Sequence, residues 1–224
     1  VVATGSSPSA PPIPGLDSVD YFTNETIFDN TTLPAHLIII GGGPIGMEMA
    51  QAHRRLGAKV TVLEAFQPLG KDDPELTAIV LDHLRDEGID IRAGAKITGI
   101  AKAARSKSIE ITLEGDDGKA EKLSGSHLLV AAGRVANVED LNLEAAGIEY
   151  DRRGIKVDKG LRSTNRKVYA IGDVAGGLQF THVAGYQAGL VIKSILFRLP
   201  ISNQTRIIPW VTYTDPELAH IGLT

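Results

Sequence analysis

A glycine-rich turn between two apolar segments is the feature that most limits how this chain can fold. Leu37–Ile40 is a run of four aliphatic residues, three of them β-branched, which is typical of a strand buried on both faces. Gly41, Gly43 and Gly46 follow at G-x-G-x-x-G spacing, and the residues after them favour a helix. A second apolar run then ends in Glu64. The order strand, turn, helix, strand and acid predicts a βαβ unit of a parallel sheet.

The spacing of the three glycines has a physical reason. Gly41 permits the sharp turn, Gly43 lets a pyrophosphate approach the backbone, and Gly46 lets the helix pack closely on the strand. The N–H groups at the helix start then bind the phosphate. Glu64 is placed to accept hydrogen bonds from a ribose diol, and its charge repels the 2′-phosphate of NADP. We therefore predict an NAD site that prefers NAD to NADP. The alternative is a βαβ unit whose glycines serve packing alone.

Charge and composition exclude several classes of partner. The 224 residues carry a net charge of −4, which gives no overall field that favours nucleic acid. We therefore expect no nucleic-acid partner. No apolar run reaches the length of a membrane span, so we also expect no membrane span. The sequence has no cysteine, which excludes disulfides, a thiol nucleophile and cysteine-ligated metal within these residues. We predict no metal site.

The second helix of the βαβ pattern is predicted to begin at Pro74, with Asp72 or Asp73 as its N-cap. Short strands interrupt the pattern after this helix. The segments 96–101, 108–113 and 120–123 predict an antiparallel meander, with a hairpin turn at Asp116-Asp117-Gly118. The fold class is therefore α/β, a Rossmann-like domain with a parallel sheet plus an antiparallel β-meander. The later segments are predicted as a short helix over Leu141–Ala146, a strand over Val168–Ile171 and a helix over Gly185–Phe197.

Five sequence motifs together resemble one enzyme family. They are ATGSSP at 3–8, GGGPIGME at 41–48, AAGR at 131–134, YAIGD at 169–173 and TDPELAHIGLT at 214–224. In this order they resemble the class I pyridine nucleotide–disulfide oxidoreductases, in particular the dihydrolipoamide dehydrogenase and mercuric reductase branch. The resemblance covers essentially the whole chain. It implies a cytoplasmic, homodimeric oxidoreductase that transfers hydride between NAD(H) and FAD, of which this chain is an internal fragment.

The resemblance also implies a domain organisation. A Rossmann-like NAD domain would be inserted in an FAD domain with a three-layer ββα/βα arrangement, of which only part is present. Residues 1–33 would be the end of the first FAD segment and a connector, 34–134 the NAD domain, 135–208 the second FAD segment, and 209–224 the truncated start of a dimerisation domain.

Site residues are implied motif by motif. Glu48 matches a glutamate near the nicotinamide and flavin, Asp173 matches the aspartate that binds the flavin ribityl chain, and Pro44 replaces an aromatic gate found in some relatives. The full set for NAD is Gly41, Gly43, Pro44, Ile45, Gly46, Glu48, Glu64 and Gly133, and that for FAD is Thr4, Gly5, Arg134, Gly172, Asp173, Phe180, Thr181 and His182.

The sequence departs from the family in what it lacks. The first FAD glycine motif, the Cys-x-x-x-x-Cys pair and the catalytic His-Glu pair are not in these residues. The fragment is therefore predicted to contain no catalytic residue, to bind NAD, and to bind FAD weakly or not at all. The alternatives are a cysteine-free NADH-dependent flavoprotein and a stand-alone nucleotide-binding module with no redox role. The electron acceptor stays open among lipoamide, mercuric ion, another disulfide and a quinone.

Overall fold

The chain folds as two compact units. The computed structural model describes residues 1–103, 108–115 and 118–222. Within those ranges, one unit consists of 8–133 and 211–220 and is called the large unit here. The small unit consists of 1–7, 134–210 and 221–222. The large unit is therefore built from two separate sequence segments, and the small unit from three.

The secondary structure is mixed, with thirteen strands and three α-helices in the described ranges. No helix in these ranges is both long enough and apolar enough to cross a membrane. The strands are β1 (Ser6–Pro8), β2 (His36–Ile40), β3 (Lys59–Leu63), β4 (Asp90–Arg92), β5 (Ile97–Lys102), β6 (Ile109–Glu114), β7 (Ala120–Gly125), β8 (His127–Val130), β9 (Arg134–Ala136), β10 (Tyr150–Asp151), β11 (Gly154–Ile155), β12 (Trp210–Thr212) and β13 (Leu218–His220). The α-helices are α1 (Pro44–Arg55), α2 (Pro74–Asp86) and α3 (Thr181–Phe197).

A four-stranded parallel sheet forms the centre of the large unit. Its strand order is β4-β3-β2-β8, with α1 connecting β2 to β3 and α2 connecting β3 to β4. Because side chains alternate along a strand, Leu37 and Ile39 pack in one apolar cluster with Met47 of α1, whereas Ile38 and Ile40 belong to a second cluster. The α/β fold class predicted from the sequence is confirmed.

The second face of the parallel sheet packs against the predicted meander. Strands β5, β6 and β7 pair antiparallel in that order. Ile100 of β5 and Ile111 of β6 are buried in the cluster that holds Ile38. The parallel sheet is therefore covered on both sides, as its continuous apolar strands require. Residues 116 and 117 of the predicted hairpin turn lie outside the described residues.

Helix α2 begins at Pro74, as predicted, and the structure identifies Asp73 as its N-cap. Asp73 accepts hydrogen bonds from the N–H groups of Glu75 at 2.9 Å and Leu76 at 3.4 Å, which satisfies two donors of the first turn. Asp72, the other candidate, is not the cap residue. Proline at the first helical position has no N–H to leave unpaired.

Two predictions for the small unit are wrong in detail. Residues 141–146 form no helix: residues 143–146 lie in turns, and Asn142 has a positive φ angle that a right-handed helix does not allow. Val168–Ile171 is extended, but it makes single bridges, from Ala170 to Val2 and from Tyr169 to Arg162, instead of a continuous strand. Helix α3 begins at Thr181, earlier than predicted.

Candidate functional site

The parallel sheet brings the predicted NAD residues to one edge. Residues that follow β2, β3 and β8 all lie at the carboxyl edge because these strands are parallel. That edge receives Gly41–Gly46 after β2, Glu64 after β3 and Ala131–Gly133 after β8. Strand β2 lies between β3 and β8, where the strand order reverses. Open α/β sheets bind ligands outside such a reversal point.

Two of the glycines are required by the fold itself. Gly41 has a φ of +111°, and a Cβ there would lie 2.4 Å from the carbonyl oxygen of Ala131. A Cβ on Gly46 would lie 2.0 Å from the carbonyl oxygen of Gly41. Both distances are far below van der Waals contact, so any side chain would force the turn and α1 apart. These positions explain the tight strand–helix packing expected from the sequence.

Gly43 is different because the fold does not need it. Its φ of −76° and ψ of −177° suit any residue, and an added Cβ would meet no atom within 4 Å. A side chain here would point into open space beside the start of α1. The helix start has no side-chain cap, and Pro44 has no N–H, so the N–H groups of Ile45 and Gly46 remain for an outside acceptor.

The Glu64 carboxylate is held against the glycine turn. Its Oε2 accepts the N–H of Gly42 at 2.6 Å, and its Oε1 accepts the N–H of Phe66 at 2.9 Å. Both carboxylate oxygens are therefore oriented by the backbone. Each oxygen keeps a second acceptor position, which suits the two hydroxyls of a ribose.

Glu48 and Gly133 lie near the same edge with different local roles. Burial raises the pKa of the Glu48 carboxyl above its usual value of 4.5, although a hydrogen bond from the Tyr213 N–H to Oε1 at 2.9 Å opposes this shift. Gly133 has a φ of +124°, a backbone conformation that favours glycine, and its carbonyl accepts the N–H of Ser9 at 2.9 Å.

A buried glutamine, which the sequence analysis did not single out, fixes the segment around Tyr213, the residue that donates to Glu48. Gln51 is 4% exposed, and its amide donates to Glu87 Oε1 at 2.9 Å and to the carbonyl of Asp215 at 2.8 Å. Its oxygen accepts the Asp215 N–H at 2.8 Å. Because Asp215 is two residues beyond Tyr213, these bonds fix the segment that donates to Glu48. The available signal was a glutamine on the apolar face of a predicted helix.

We expect Gln51→Leu to loosen this segment. The substitution leaves the N–H and the carbonyl of Asp215 without their side-chain partner and removes one hydrogen bond to Glu87. Each buried group that water does not reach lowers the free energy of unfolding by about 1–3 kcal/mol. Amide exchange of Tyr213 and Asp215 should quicken by about tenfold or more, and the pKa of Glu48 should rise because its N–H donor is no longer held.

The matched control is Gln67→Leu, at an exposed glutamine in the loop after β3. Hydrogen exchange followed by NMR, with carboxyl titration of Glu48, measures both effects. Unchanged exchange at Tyr213 in Gln51→Leu would contradict the assigned role of the amide.

In the small unit, Ser6 connects the two charged candidates. Asp173 lies in the 3₁₀ turn Gly172–Ala175, and its Oδ2 accepts the Ser6 hydroxyl at 2.5 Å. The Arg134 guanidinium donates to Ser6 Oγ and to the Ser6 carbonyl, each at 2.6 Å, and its Nε lies 3.9 Å from Asp173 Oδ2. The sequence reasoning missed Ser6, although it stands in the ATGSSP motif.

The remaining small-unit candidates are also held by specific bonds. Thr4 Oγ1 donates to the carbonyl of Asn137 at 2.7 Å, and the Asn137 N–H donates to the carbonyl of Gly5 at 2.9 Å. The Gly172 N–H donates to the buried Gln187 side chain at 2.7 Å. These contacts tie residues 4–5 to the segment after β9, and the Gly-Asp turn to α3.

An aromatic group marks the start of α3. Phe180 precedes Thr181, the first helical residue, and its ring stacks on His182 with a centroid distance of 5.3 Å and on Trp210 at 6.3 Å. The His182 Nε2 lies 2.8 Å from the carbonyl of Pro209, which makes it a donor to that oxygen. This ring is therefore held by structural contacts.

Comparisons with known proteins agree with the motifs. The family described as pyridine nucleotide-disulphide oxidoreductase matches residues 1–188. A mercuric reductase of Bacillus cereus is 37% identical over the whole chain, which covers 35% of that relative. A dihydrolipoyl dehydrogenase of Chlorobaculum tepidum is 34% identical and is covered to 48%. The chain thus spans less than half the length of these relatives.

A solved structure gives the same result for the fold. The Cu(II) complex of the HOCl-induced flavoprotein disulfide reductase RclA from Escherichia coli matches with a TM-score of 0.91 and 32% identity. The match covers 99% of this chain and 51% of the RclA chain. LpdA from Mycobacterium tuberculosis matches with a TM-score of 0.88 and 28% identity, and 48% of it is covered.

Proposed function

The chain belongs to the pyridine nucleotide-disulphide oxidoreductase family, and from that premise we propose that it supplies the NAD site and part of the FAD site of an FAD-dependent oxidoreductase. In the whole enzyme, these residues would hold NAD(H) and FAD, which would supply the chemistry of hydride transfer. We further propose the boundaries 34–134 for the NAD domain, with 1–33 and 135–208 contributing to the FAD domain and 209–224 beginning a dimerisation domain.

The space beside Gly43 is the single observation that carries the NAD proposal. A glycine that the fold does not require, next to an uncapped helix start, fits a pyrophosphate that needs close approach to the backbone. Glu64, bonded to the same turn, would accept the hydroxyls of the adenosine ribose. Its negative charge is the reason to propose NAD in preference to NADP.

The FAD proposal depends on the Ser6, Arg134 and Asp173 group. Asp173 would accept hydrogen bonds from the ribityl hydroxyls, while Arg134 and Ser6 hold its carboxylate in position. The chemistry of electron storage belongs to the flavin when it is bound. Glu48, whose carboxyl pKa is raised by burial, would lie near the nicotinamide.

Calorimetric titration of the chain with NADH and with NADPH tests the NAD proposal. We expect one NADH per chain and an affinity for NADPH lower by about tenfold or more, because the 2′-phosphate meets a carboxylate. Absence of NADH binding, or tighter NADPH binding, would refute it. A parallel titration with FAD tests the expectation that these 224 residues alone bind the flavin weakly.

A further inference from the structure

A cationic cleft lies in the small unit, and none of the roles above uses it. It has a volume of about 480 Å³, within the usual range for a small-molecule site. Three arginines line it, Arg162, Arg166 and Arg198, and Leu199 to Ile201 form an apolar wall. The cleft is thus locally cationic, although the chain as a whole has a net charge of −4.

The single carboxylate among the lining residues does not neutralise these arginines. Asp158 Oδ1 accepts the N–H groups of Gly160 at 2.8 Å and Arg162 at 3.0 Å, so it stabilises a turn. In residues 1–103, 108–115 and 118–222, no ion pair joins a carboxylate to Arg162, Arg166 or Arg198. The cleft therefore has donors that the described part of the chain leaves without a negative partner.

Arg162 is oriented for binding before any ligand arrives. Its Nε donates to the Tyr169 hydroxyl at 2.9 Å, and its guanidinium carbon lies 5.3 Å from the centre of the Tyr169 ring. Tyr169 is buried, and its hydroxyl lies 3.2 Å from Ser194 Oγ. The two terminal nitrogens of Arg162 remain for a bidentate contact, the geometry that guanidinium offers to phosphate.

Arg198 has a left-handed backbone conformation that favours glycine. It ends α3 with a φ of +55° and a ψ of +26°, in the left-handed region where glycine is the usual and less strained choice. The fold alone thus gives no reason for an arginine here. Its side chain has a use at the cleft, which it lines together with Ser194 from the last turns of α3.

The cleft and the Asp173 group share no residue. Asp173 follows the extended segment 168–171, whereas Arg162 and Arg166 precede it. Likewise Thr181 and His182 begin α3, and Arg198 ends it. A helix of 17 residues is about 25 Å long, so one ligand of moderate size does not reach both ends.

We propose that this cleft binds a small, multiply phosphorylated anion. Two or more phosphate groups would match the three guanidinium groups, and the Leu199–Ile201 wall would contact the carbon skeleton of an organic ligand. Tripolyphosphate and fructose 1,6-bisphosphate are suitable probes, since both carry several phosphate charges and only one carries a carbon skeleton.

The test titrates the 224-residue chain with each probe at low salt and follows the Nε–H resonances of the arginines by NMR. We expect one equivalent of probe to shift the signals of Arg162, Arg166 and Arg198. Arg198→Gly should lower the affinity by about tenfold or more through loss of a charged contact, while its melting temperature stays equal or rises because the strained residue is replaced. Arg162→Gln should weaken binding similarly.

Arg152→Gln, at an exposed arginine of the β10–β11 turn, is the matched control and should bind like the unaltered chain. Tighter binding of the sugar bisphosphate would identify an organic ligand, and equal or tighter binding of tripolyphosphate an inorganic one. Binding of neither probe would overturn the proposal. So would shifts confined to the amides of residues 42–46, or equal losses in Arg152→Gln and Arg198→Gly.

Discussion

Replacing Gly43 by valine is expected to abolish NADH binding while the fold remains intact. The backbone at Gly43 already has angles that valine accepts, and its Cβ direction is empty within the chain. Loss of glycine at this helix N-cap should cost about 1 kcal/mol at most. The valine side chain would occupy the space that the pyrophosphate needs, so NADH affinity should fall by about 100-fold or more, which is ~2.8 kcal/mol.

The neighbouring glycine gives a matched control with the opposite result. Gly46→Ala places a Cβ 2.0 Å from the carbonyl oxygen of Gly41, so the turn must shift. Such overpacking typically costs about 1–3 kcal/mol, and we expect a clear drop in the midpoint of denaturant unfolding. Calorimetry with NADH and unfolding curves measured on both variants separate the two roles. Full NADH affinity in Gly43→Val would disprove the assigned approach of the pyrophosphate.

Replacing Glu64 by glutamine is expected to reduce the preference for NADH over NADPH by about tenfold or more. The change removes the charge that repels a 2′-phosphate and keeps one acceptor oxygen near the turn. The two carboxylate oxygens accept the N–H groups of Gly42 and Phe66, whereas an amide has one oxygen and can accept only one of these bonds. The substitution should therefore lower the free energy of unfolding by about 1–3 kcal/mol. Glu64→Arg is a poorer test, because it would leave the N–H groups of Gly42 and Phe66 without an acceptor. A change in nucleotide affinity could then not be separated from a loss of stability.

Glu75→Gln removes an exposed acidic charge from the first turn of α2 and serves as the control. Its affinities for both nucleotides should equal those of the unaltered chain. Competitive titration of NADH against NADPH gives the ratio directly. A ratio that Glu64→Gln leaves unchanged would mean that this carboxylate does not contact the ribose.

The local parts of the fold were predictable because their causes are local. The β2–α1–β3 unit follows from aliphatic runs, helix-forming residues and glycine spacing that all lie within one short stretch. Asp73 was one of two predicted caps for α2 because an aspartate before proline is a short-range signal. Where the local signal was weak, it failed. The six residues 141–146 have apolar spacing, but they form no helix, since so short a helix gains too little from its own hydrogen bonds.

The residues that support the candidate site were less accessible to sequence reasoning. Ser6 meets Asp173 across 167 residues, and Gln51 meets Asp215 across 164. No periodicity links such distant positions, so their pairing depends on how the sheets and helices pack. The cationic cleft arises in the same way, because residues before the segment 168–171 meet the end of α3.

By itself, the sequence determined the βαβ unit, the glycine turn and the acid that follows β3, because steric limits and hydrophobic periodicity act between near neighbours. The tertiary structure alone decided that Gly46 is needed for packing and Gly43 is not, since that difference depends on which atoms surround each Cβ. It also decided that both Glu64 oxygens are held by backbone donors, one in the glycine turn and one in the loop after β3. The physical reason is the same throughout: a side chain's chemistry is encoded locally, but its partners are set by long-range packing.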